Sequence, residues 1–323
     1  MALSRTVDVM TTTMRAIRTT GNADAPITAA QVSIPQPAPD EALVRVHAVS
    51  LNAGELRSAP TRAANEPIGW DFAGVIVRAA ESGGGPALGT RVVGFVVQGA
   101  WADFVAAPAH QLGTLPDTVS FEDAATLPIA GLTALRALRR GGDIKAKRVL
   151  ISPATGGAGL FALQLAARAG ADVTALIRSG EREPLVRALG ATRVIVGNAT
   201  SALAHKPYDL VIDSLGGNEL GTLLEALCFE GTAVNFGATT GQQTTFNART
   251  FMLAGCATLF GFYIFPDALA RPVAADLNGL AQLVASGDLK TNIDATLDFD
   301  AFADAVQART RGGLAGKIVV RFA

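Results

Sequence analysis

The feature that most constrains the fold is a glycine-rich turn that joins an apolar strand to an apolar helix. Residues 148–161 read RVLISPATGGAGLF, with the pattern AxGxxG beginning at Ala154. Gly156 would let the backbone approach a pyrophosphate, and Gly159 would let the helix pack closely on the strand. The free N–H groups at the start of such a helix favour phosphate. This context predicts a dinucleotide-binding turn, and the alternative interpretation is a plain turn before a core helix.

The chain has two regions that differ in their pattern of predicted secondary structure. Between residues 14 and 120, short strands are separated by Gly and Pro clusters, which indicates an all-β region. From residue 148 on, strands alternate with helices, which indicates βαβ units and a doubly wound parallel sheet. The predicted elements include the strands Ala102–Ala106 and Ala257–Ile264 and the helix Leu220–Cys228.

A chain of 323 residues favours two packed units over one enlarged core. The expected fold class is α/β, with a β-rich domain followed by a doubly wound parallel sheet. We place the first part of the catalytic domain at residues 14–124 and the nucleotide-binding domain at 125–264. A C-terminal segment, 265–323, returns to the first domain.

Composition limits the partners and the compartment. The formal net charge is −1, which argues against nucleic acid or an anionic membrane surface as a partner. No charge-free apolar run reaches about 18 residues, so we expect no membrane span. The stretch Met1–Thr13 is polar and lacks the apolar core of a signal peptide. We expect a flexible tail there and a cytoplasmic protein.

The end of the strand after the turn predicts the nucleotide. NAD-binding proteins usually place an acidic residue about 20 residues after the glycine motif, where it holds the ribose 2′-hydroxyl. Here the strand Val173–Ile177 is followed by Arg178, Ser179 and, three residues further on, Arg182. Guanidinium groups suit a 2′-phosphate. The sequence therefore predicts NADPH, unless these arginines are ordinary surface residues.

Short motifs in a fixed order carry a family resemblance. They are Val44–Asn52 (VRVHAVSLN), Pro67–Gly74 (PIGWDFAG), Gly89–Gly94 (GTRVVG), Ala124–Ala134 (AATLPIAGLTA), the glycine turn, Leu189–Ala191 (LGA), Asp209–Gly217 (DLVIDSLGG), Gly231–Gly237 (GTAVNFG) and Gly316–Val319 (GKIV). In this order the chain resembles the zinc-free quinone oxidoreductases of the medium-chain dehydrogenase/reductase superfamily from Met14 to Phe322.

The resemblance implies a GroES-like catalytic domain, a Rossmann domain and a cofactor in the cleft between them. It implies that Asn52 and Thr133 lie near the nicotinamide, Gly237 along its ribose, and Lys317 near the cleft. The cofactor residues it implies are Asn52, Thr133, Thr155, Gly156, Gly157, Ala158, Gly159, Arg178, Ser179, Arg182, Gly237 and Lys317. Family members are commonly dimers, and the apolar strand Ala257–Ile264 would suit a homodimer through the Rossmann sheet edge.

The expected metal ligands are missing. Zinc-dependent relatives place a cysteine near Leu51–Glu55 and a His-Glu pair near Gly69–Asp71, where this chain reads LNAGE and GWD. A catalytic zinc needs about three converging ligands. The three histidines fall in separate segments, and the only cysteines, Cys228 and Cys256, form no CxxC motif. We therefore predict no metal.

Without a Lewis acid, hydride should go to an acceptor that already delocalises charge. Several relatives carry a tyrosine a few residues after the Asn52 position as a candidate proton donor, but Arg57 stands there in this chain. We predict Asn52 and Arg57 as the catalytic residues that hold the developing oxyanion, with water as the proton source. Glu55 fits either a functional or a structural carboxylate.

The sequence thus predicts an NADPH-dependent, zinc-independent reductase of a quinone or an activated α,β-unsaturated carbonyl compound. One alternative is an enoyl-thioester reductase, which would need a basic groove for the phosphates of the carrier. The other is a non-catalytic, crystallin-like nucleotide-binding protein. The partners expected are a small-molecule substrate and a second copy of the chain.

Overall fold

The computed structural model describes residues 12–311 and 315–322, so the predicted N-terminal tail lies outside the described residues up to position 11. The chain folds as two compact units. The first unit comprises Met1–Ile129, Pro272–Asp288 and Ile293–Ala323, and the second comprises Ala130–Arg271 and Leu289–Asn292.

The elements follow in chain order. The strands are β1 (Thr13–Thr19), β2 (Ile27–Ser33), β3 (Glu41–Ser50), β4 (Asp71–Arg78), β5 (Arg91–Phe95), β6 (Phe104–Pro108), β7 (Gly113–Thr114), β8 (Arg148–Ser152), β9 (Asp172–Ile177), β10 (Arg193–Val196), β11 (Tyr208–Asp213), β12 (Leu227–Asn235), β13 (Thr258–Gly261), β14 (Ile293–Asp298) and β15 (Lys317–Arg321). The helices are α1 (Ala53–Ser58), α2 (Phe121–Ala125), α3 (Leu132–Arg139), α4 (Gly157–Arg168), α5 (Glu183–Ala188), α6 (Ala199–Leu203), α7 (Gly217–Leu224), α8 (Ala248–Leu253), α9 (Ile264–Ala270), α10 (Ala274–Ala285) and α11 (Phe302–Arg311).

The first unit is built around β3. The main sheet has the order β14-β15-β3-β4-β5-β7, and β6 also pairs with β3, while β1 and β2 form a separate hairpin. Strand β3 is buried along most of its length because it has neighbours in the sheet and a core beneath it. The C-terminal segment supplies part of this core, since the Phe302 ring lies 4.7 Å from Trp101 and the Phe322 ring 5.0 Å from Phe299.

The second unit is a parallel sheet with helices. Its six strands have the order β10-β9-β8-β11-β12-β13, and every pair is parallel. Residues of β8, β9 and β11 are almost wholly buried, as expected of strands covered on both faces. The order reverses direction between β8 and β11, which makes their carboxyl ends the topological switch point. The predicted α/β class, with a β domain and a doubly wound parallel sheet, is confirmed.

The three predicted elements named above have different bounds in the structure. The helix predicted over Leu220–Cys228 runs from Gly217 to Leu224, because Gly216 has a positive φ of 67° and begins it early. The strand predicted over Ala257–Ile264 is limited to Thr258–Gly261, since Ile264 is already the first residue of α9 and is buried there. The strand predicted over Ala102–Ala106 begins two residues later, at Phe104, where pairing with β3 starts.

The longest helices in the described part of the chain have 12 residues. Within residues 12–311 and 315–322, no helix combines the length and the apolar character needed to cross a bilayer.

Candidate active site

The glycine turn of the second unit has the geometry that its sequence predicts. Strand β8 ends at Ser152, and α4 begins at Gly157 with Gly156 as its N-cap residue. A Cβ atom on Gly159 would lie 2.2 Å from the carbonyl oxygen of Pro153, so only glycine lets the helix pack this closely on the turn. Gly156 brings no side chain to cap the first N–H groups of the helix, and these groups remain suited to an anion.

A cavity of about 260 Å³ opens at the carboxyl ends of the strands beside this turn. Its lining includes Ser152 and Pro153 after β8, Ile177 and Arg178 at the end of β9, and Glu219 from the first turn of α7. The structure therefore places the predicted Arg178 in the wall of this cavity. Glu219, which is not among the predicted cofactor residues, faces the same space.

Two buried polar atoms lie at the switch point without a hydrogen-bond partner among the described residues. They are Ser152 Oγ and Asp213 Oδ1, and these two residues are register partners on the neighbouring strands β8 and β11. The other carboxylate oxygen of Asp213 accepts hydrogen bonds from Gly216 N at 2.9 Å and Asn235 Nδ2 at 2.8 Å. Burial raises the pKa of Asp213 to about 6. Unsatisfied buried polar atoms are rare, and Ser152 lines the cavity, so the two atoms mark the switch point as a place for a further polar group.

Apart from Asn52 and Lys317, the other residues predicted for the cofactor lie in the second unit. Ser179 is exposed, and its hydroxyl accepts a hydrogen bond from Glu181 N, while Arg182 is half-buried just before α5. Thr133 is buried in the first turn of α3. Gly237 follows β12, and a Cβ atom there would lie 2.7 Å from Ser214 O. Thr155, Gly157 and Ala158 are half-buried in the turn itself.

The first unit contains a buried polar cluster around Asn52, defined by Ser50, Asn52, Glu55, Asp71 and Lys317. All five side chains are less than one-tenth exposed. Lys317 Nζ donates to Asn52 Oδ1 at 2.6 Å, and Asn52 Nδ2 donates to Asp71 Oδ2 at 2.8 Å. Asp71 Oδ2 also accepts from Ser50 Oγ at 2.6 Å and lies 3.5 Å from the ammonium of Lys317.

Glu55 has a structural role in this cluster. Its two carboxyl oxygens accept hydrogen bonds from Asn52 N and Trp70 N, each at 2.6 Å, so it ties the start of α1 to the segment before β4. Gly54 is required at the same contact, because a Cβ atom there would lie 2.5 Å from the Trp70 ring. The sequence left open whether Glu55 is a functional or a structural carboxylate, and these contacts favour the structural role.

The ammonium of Lys317 acts electrostatically on two carboxyl groups of this cluster, those of Glu55 and Asp71. Burial raises the pKa of Glu55 well above its ordinary value, the neighbouring Asp71 raises it further, and Lys317 opposes the shift. Burial also raises the pKa of Asp71, against the effects of Lys317 and of hydrogen bonds from Ser50, Asn52 and the Ile129 amide. The ammonium and these hydrogen bonds stabilise the charged form of Asp71, so we assign the ion pair to Asp71 and Lys317.

The two predicted catalytic residues differ in environment. Asn52 is buried, and both ends of its amide are engaged, whereas Arg57 is exposed in the last turn of α1 and has no hydrogen bond or ion pair with the described residues. Lys317 was predicted near the cofactor. Its ammonium donates hydrogen bonds to Asn52 Oδ1 and the Leu51 carbonyl and forms an ion pair with Asp71. Tyr263 is 60% exposed at the N-cap of α9.

The donor set does not fit zinc. Among the described residues, no group of three or more His, Cys, Asp and Glu side chains could hold a metal ion. At the positions where zinc-dependent relatives place ligands, Asp71 already has the Lys317 ammonium as its counter-charge and Asn52 bonds to both. A zinc ion would need about three free N, O or S ligands there.

Comparisons with known proteins agree with this architecture. Residues 38–117 match the family model described as alcohol dehydrogenase GroES-like domain, and residues 189–320 match the one described as zinc-binding dehydrogenase. A probable zinc-binding mitochondrial oxidoreductase of Arthroderma benhamiae is 33% identical over 225 residues, which cover 62% of this chain and 68% of that protein. The chloroplast envelope quinone oxidoreductase homolog of Arabidopsis thaliana is 29% identical over 311 residues, covering 90% and 92%.

A solved structure is similar over nearly the whole chain. The quinone oxidoreductase from Coxiella burnetii superposes with a TM-score of 0.83 at 25% identity, covering 96% of this chain and 100% of that one. The chain belongs to the medium-chain dehydrogenase/reductase superfamily, in its quinone oxidoreductase-like branch. It is an oxidoreductase, and its second unit has the nucleotide-binding fold of that family.

Proposed function

We propose that the protein is an NADPH-dependent, zinc-independent reductase that transfers hydride to a quinone or an activated α,β-unsaturated carbonyl compound. The observation that carries the proposal is Arg178, which lines the cavity at the end of β9 where NAD-binding proteins usually carry an acid. A guanidinium at this position would pair with a 2′-phosphate and would leave NADH with an unpaired cation.

The residues of the second unit fit a dinucleotide. The tight approach of Gly159 to Pro153 and the uncapped start of α4 suit a pyrophosphate, with Thr155, Gly156, Gly157 and Ala158 along the turn. Arg178, Ser179 and Arg182 would hold the adenosine phosphate, and Thr133 and Gly237 the other end of the cofactor. When bound, NADPH supplies the hydride.

The choice of acceptor follows from the polar cluster of the first unit. Asp71 and Asn52 are already engaged with Lys317 and with each other, so the cluster lacks the free ligands that would hold a metal to polarise an unactivated ketone or alcohol. An acceptor that spreads its own charge needs only hydrogen-bond donors for the oxygen that becomes negative. We assign this role to Asn52, with Arg57 as a second, cationic donor and with water as the source of the proton.

The experiment that tests the proposal is a panel of initial rates. NADPH oxidation would be measured with a quinone, an enal and an enoyl-CoA, each repeated with NADH, on protein whose zinc content is known from elemental analysis. We expect the highest kcat/KM with NADPH and the quinone or enal, and less than stoichiometric zinc. A preference for NADH, or activity lost together with one zinc per chain, would overturn the proposal.

The same panel separates the alternatives. A clear preference for enoyl-CoA would favour an enoyl-thioester reductase. Tight NADPH binding without turnover of any acceptor would favour a non-catalytic nucleotide-binding protein. The cytoplasm is the compartment that we propose for the protein, with a small-molecule substrate and neither nucleic acid nor a membrane as a partner.

We also propose a homodimer through the outer edge of β13. This strand has one hydrogen-bonded neighbour, β12, among the described residues, and Leu259 on it is 40% exposed. Unpaired edges of this kind are usually covered. Light scattering on the wild type should give twice the chain mass of 33.1 kDa, and Leu259→Lys should shift it toward one chain.

A further inference from the structure

The amide of Asn52 is held at both ends by charged groups of opposite sign. Lys317 Nζ donates to Oδ1 at 2.6 Å, and Nδ2 donates to Asp71 Oδ2 at 2.8 Å. The lysine is 265 residues away in sequence and comes from the first residue of β15, while the aspartate is the first residue of β4. The pairing of β3 with β4 and β15 therefore brings the three side chains together.

This arrangement allows one orientation of the amide. Rotation by 180° would place the NH₂ group against the ammonium and the carbonyl oxygen against the carboxylate. An ammonium has no acceptor, and an ionised carboxylate has no donor, so both hydrogen bonds would be lost at once. Because Asn52, Asp71 and Lys317 are buried, the loss of each such hydrogen bond is costly.

The two charged groups are themselves fixed. Asp71 Oδ1 accepts from Ile129 N at 2.9 Å and Oδ2 accepts from Ser50 Oγ at 2.6 Å, so the carboxylate cannot turn away from Asn52. Lys317 Nζ donates to the Leu51 carbonyl at 3.0 Å, which holds the ammonium beside the same residue. The carbonyl oxygen of Asn52 is committed to Lys317, and the group it can still offer to a ligand is the second N–H of its NH₂.

We propose that Lys317 and Asp71 are positioning residues that make Asn52 a hydrogen-bond donor of fixed direction toward the acceptor oxygen that gains negative charge. The inference rests on the proposed function for the identity of that oxygen. It also gives Lys317 a role different from the direct cofactor contact expected from the sequence, because its ammonium acts through Asn52.

A double-mutant cycle on the full chain tests the coupling. Lys317→Met should lower kcat about 10–100-fold, because the amide oxygen loses its charged partner and the direction of the N–H is less well fixed, while the Kd for NADPH measured by fluorescence stays within about 2-fold. In the Asn52→Ala background the same substitution should have no further effect on kcat. An equal loss of kcat in both backgrounds, or a large rise in the NADPH Kd, would overturn the assignment.

A second variant separates positioning from stability. Lys317→Met leaves the Asp71 carboxylate buried without its counter-charge, and this alone can lower Tm. Asp71→Asn added to Lys317→Met removes the unpaired charge, so Tm should recover while kcat remains low. Recovery of both Tm and kcat in the double variant would mean that Lys317 contributes only to stability. On the same strand, Arg321→Gln removes an exposed ion pair with Glu122 and should leave kcat within about 2-fold.

The orientation itself can be read without turnover. In protein labelled with ¹⁵N-asparagine, the side-chain NH₂ resonances missing from Asn52→Ala identify this amide. They should exchange slowly with water in the wild type and at least about 10-fold faster in Lys317→Met, because one end of the amide is released. Equal exchange in the two proteins would overturn the inference, whereas the absence of turnover in the wild type would contradict only the proposed function.

Discussion

Arg178 and Glu219 line the same cavity at the carboxyl ends of the parallel strands, so a cation and an anion face one space. Arg178 comes from the end of β9. Glu219 comes from the first turn of α7, and its Oε2 accepts a hydrogen bond from Ala199 N at 2.7 Å. The two side chains should act on a bound 2′-phosphate in opposite directions.

The first prediction concerns the cation. Arg178→Ala should weaken NADPH binding by about 10–100-fold, since a charge-assisted hydrogen bond contributes about 1.5–3 kcal/mol. NADH has no 2′-phosphate, and its Kd should change little. Titration of the protein with each nucleotide by calorimetry measures both values. Equal losses for NADPH and NADH would show that Arg178 does not distinguish them.

Glu219→Gln is the matched variant at the other charged residue that lines the cavity. It keeps an oxygen that can accept from Ala199 N and removes the negative charge from the cavity. NADPH binding should tighten by about 2–5-fold, the effect of one partly screened charge, and the effect should shrink in high salt. A salt-independent loss of NADPH affinity would mean that the Glu219 carboxylate itself bonds to the nucleotide.

The second prediction separates the two functions of the glycine turn. Gly159→Ala places a methyl group 2.2 Å from the Pro153 carbonyl, so the unfolding free energy should fall by about 1–3 kcal/mol together with NADPH affinity. Gly156→Ala meets no atom closer than 3.7 Å, and its φ of −72° suits alanine. Its stability should match the wild type, while NADPH affinity falls. Urea unfolding and nucleotide titration check both, and a stable Gly159→Ala protein would contradict the packing argument.

Much of this turn could be predicted from the sequence because its parts are contiguous. The strand, the glycines and the helix lie within residues 148–168, and Arg178 follows at the end of the next strand. The order of apolar segments likewise predicted the doubly wound sheet. The ends of helices and strands could not be predicted where a local backbone feature determines them. An example is the positive φ of Gly216, which begins α7 early.

The polar groups brought together by strand pairing could not be predicted in the same way. Ser152 and Asp213 meet because β8 and β11 are neighbours in a given register, although 61 residues separate them in sequence. Asn52 and Lys317 meet across a still longer separation. Each residue lay in a motif of the family resemblance, but a motif does not state which side chains face each other or which of them are left without a partner.

The third prediction uses the raised pKa of Asp213. Its value in the folded protein is about 6, against about 3.9 for an unfolded aspartate, so the folded state holds the proton more tightly. The stability due to this proton is complete below about pH 4 and is lost as the pH rises through 6. The loss should be about 2–3 kcal/mol, since one pKa unit corresponds to about 1.4 kcal/mol.

Asp213→Asn removes this titration and keeps one oxygen to accept from Gly216 N and Asn235 Nδ2. The unfolding free energy of the variant relative to the wild type should therefore rise between pH 4 and pH 7. Urea unfolding at several pH values measures the difference. If the unfolding free energies of the two proteins changed with pH in the same way, the assignment of a buried, proton-binding carboxyl group at the switch point would be contradicted.

The last prediction concerns Arg57, which stands where several relatives carry a tyrosine. Its guanidinium is exposed on α1 and has no hydrogen bond or ion pair with the described residues, so it is available to a negatively charged oxygen. If it stabilises that charge, Arg57→Ala should lower kcat by about 10²–10³-fold with an enal, as the loss of an oxyanion donor does. Quinones accept charge more readily, so the defect should be smaller with them, and the NADPH Kd should change little.

Tyr263→Phe is the control for Arg57. The only other tyrosine, Tyr208, is fully buried, whereas Tyr263 is 60% exposed before α9 and is the tyrosine that could reach a ligand. Its hydroxyl is not needed when water supplies the proton, so the variant should keep the wild-type kcat. Full activity of Arg57→Ala on both acceptor classes would reduce Arg57 to a surface residue. Loss of activity in Tyr263→Phe would instead move the proton donor to the second unit.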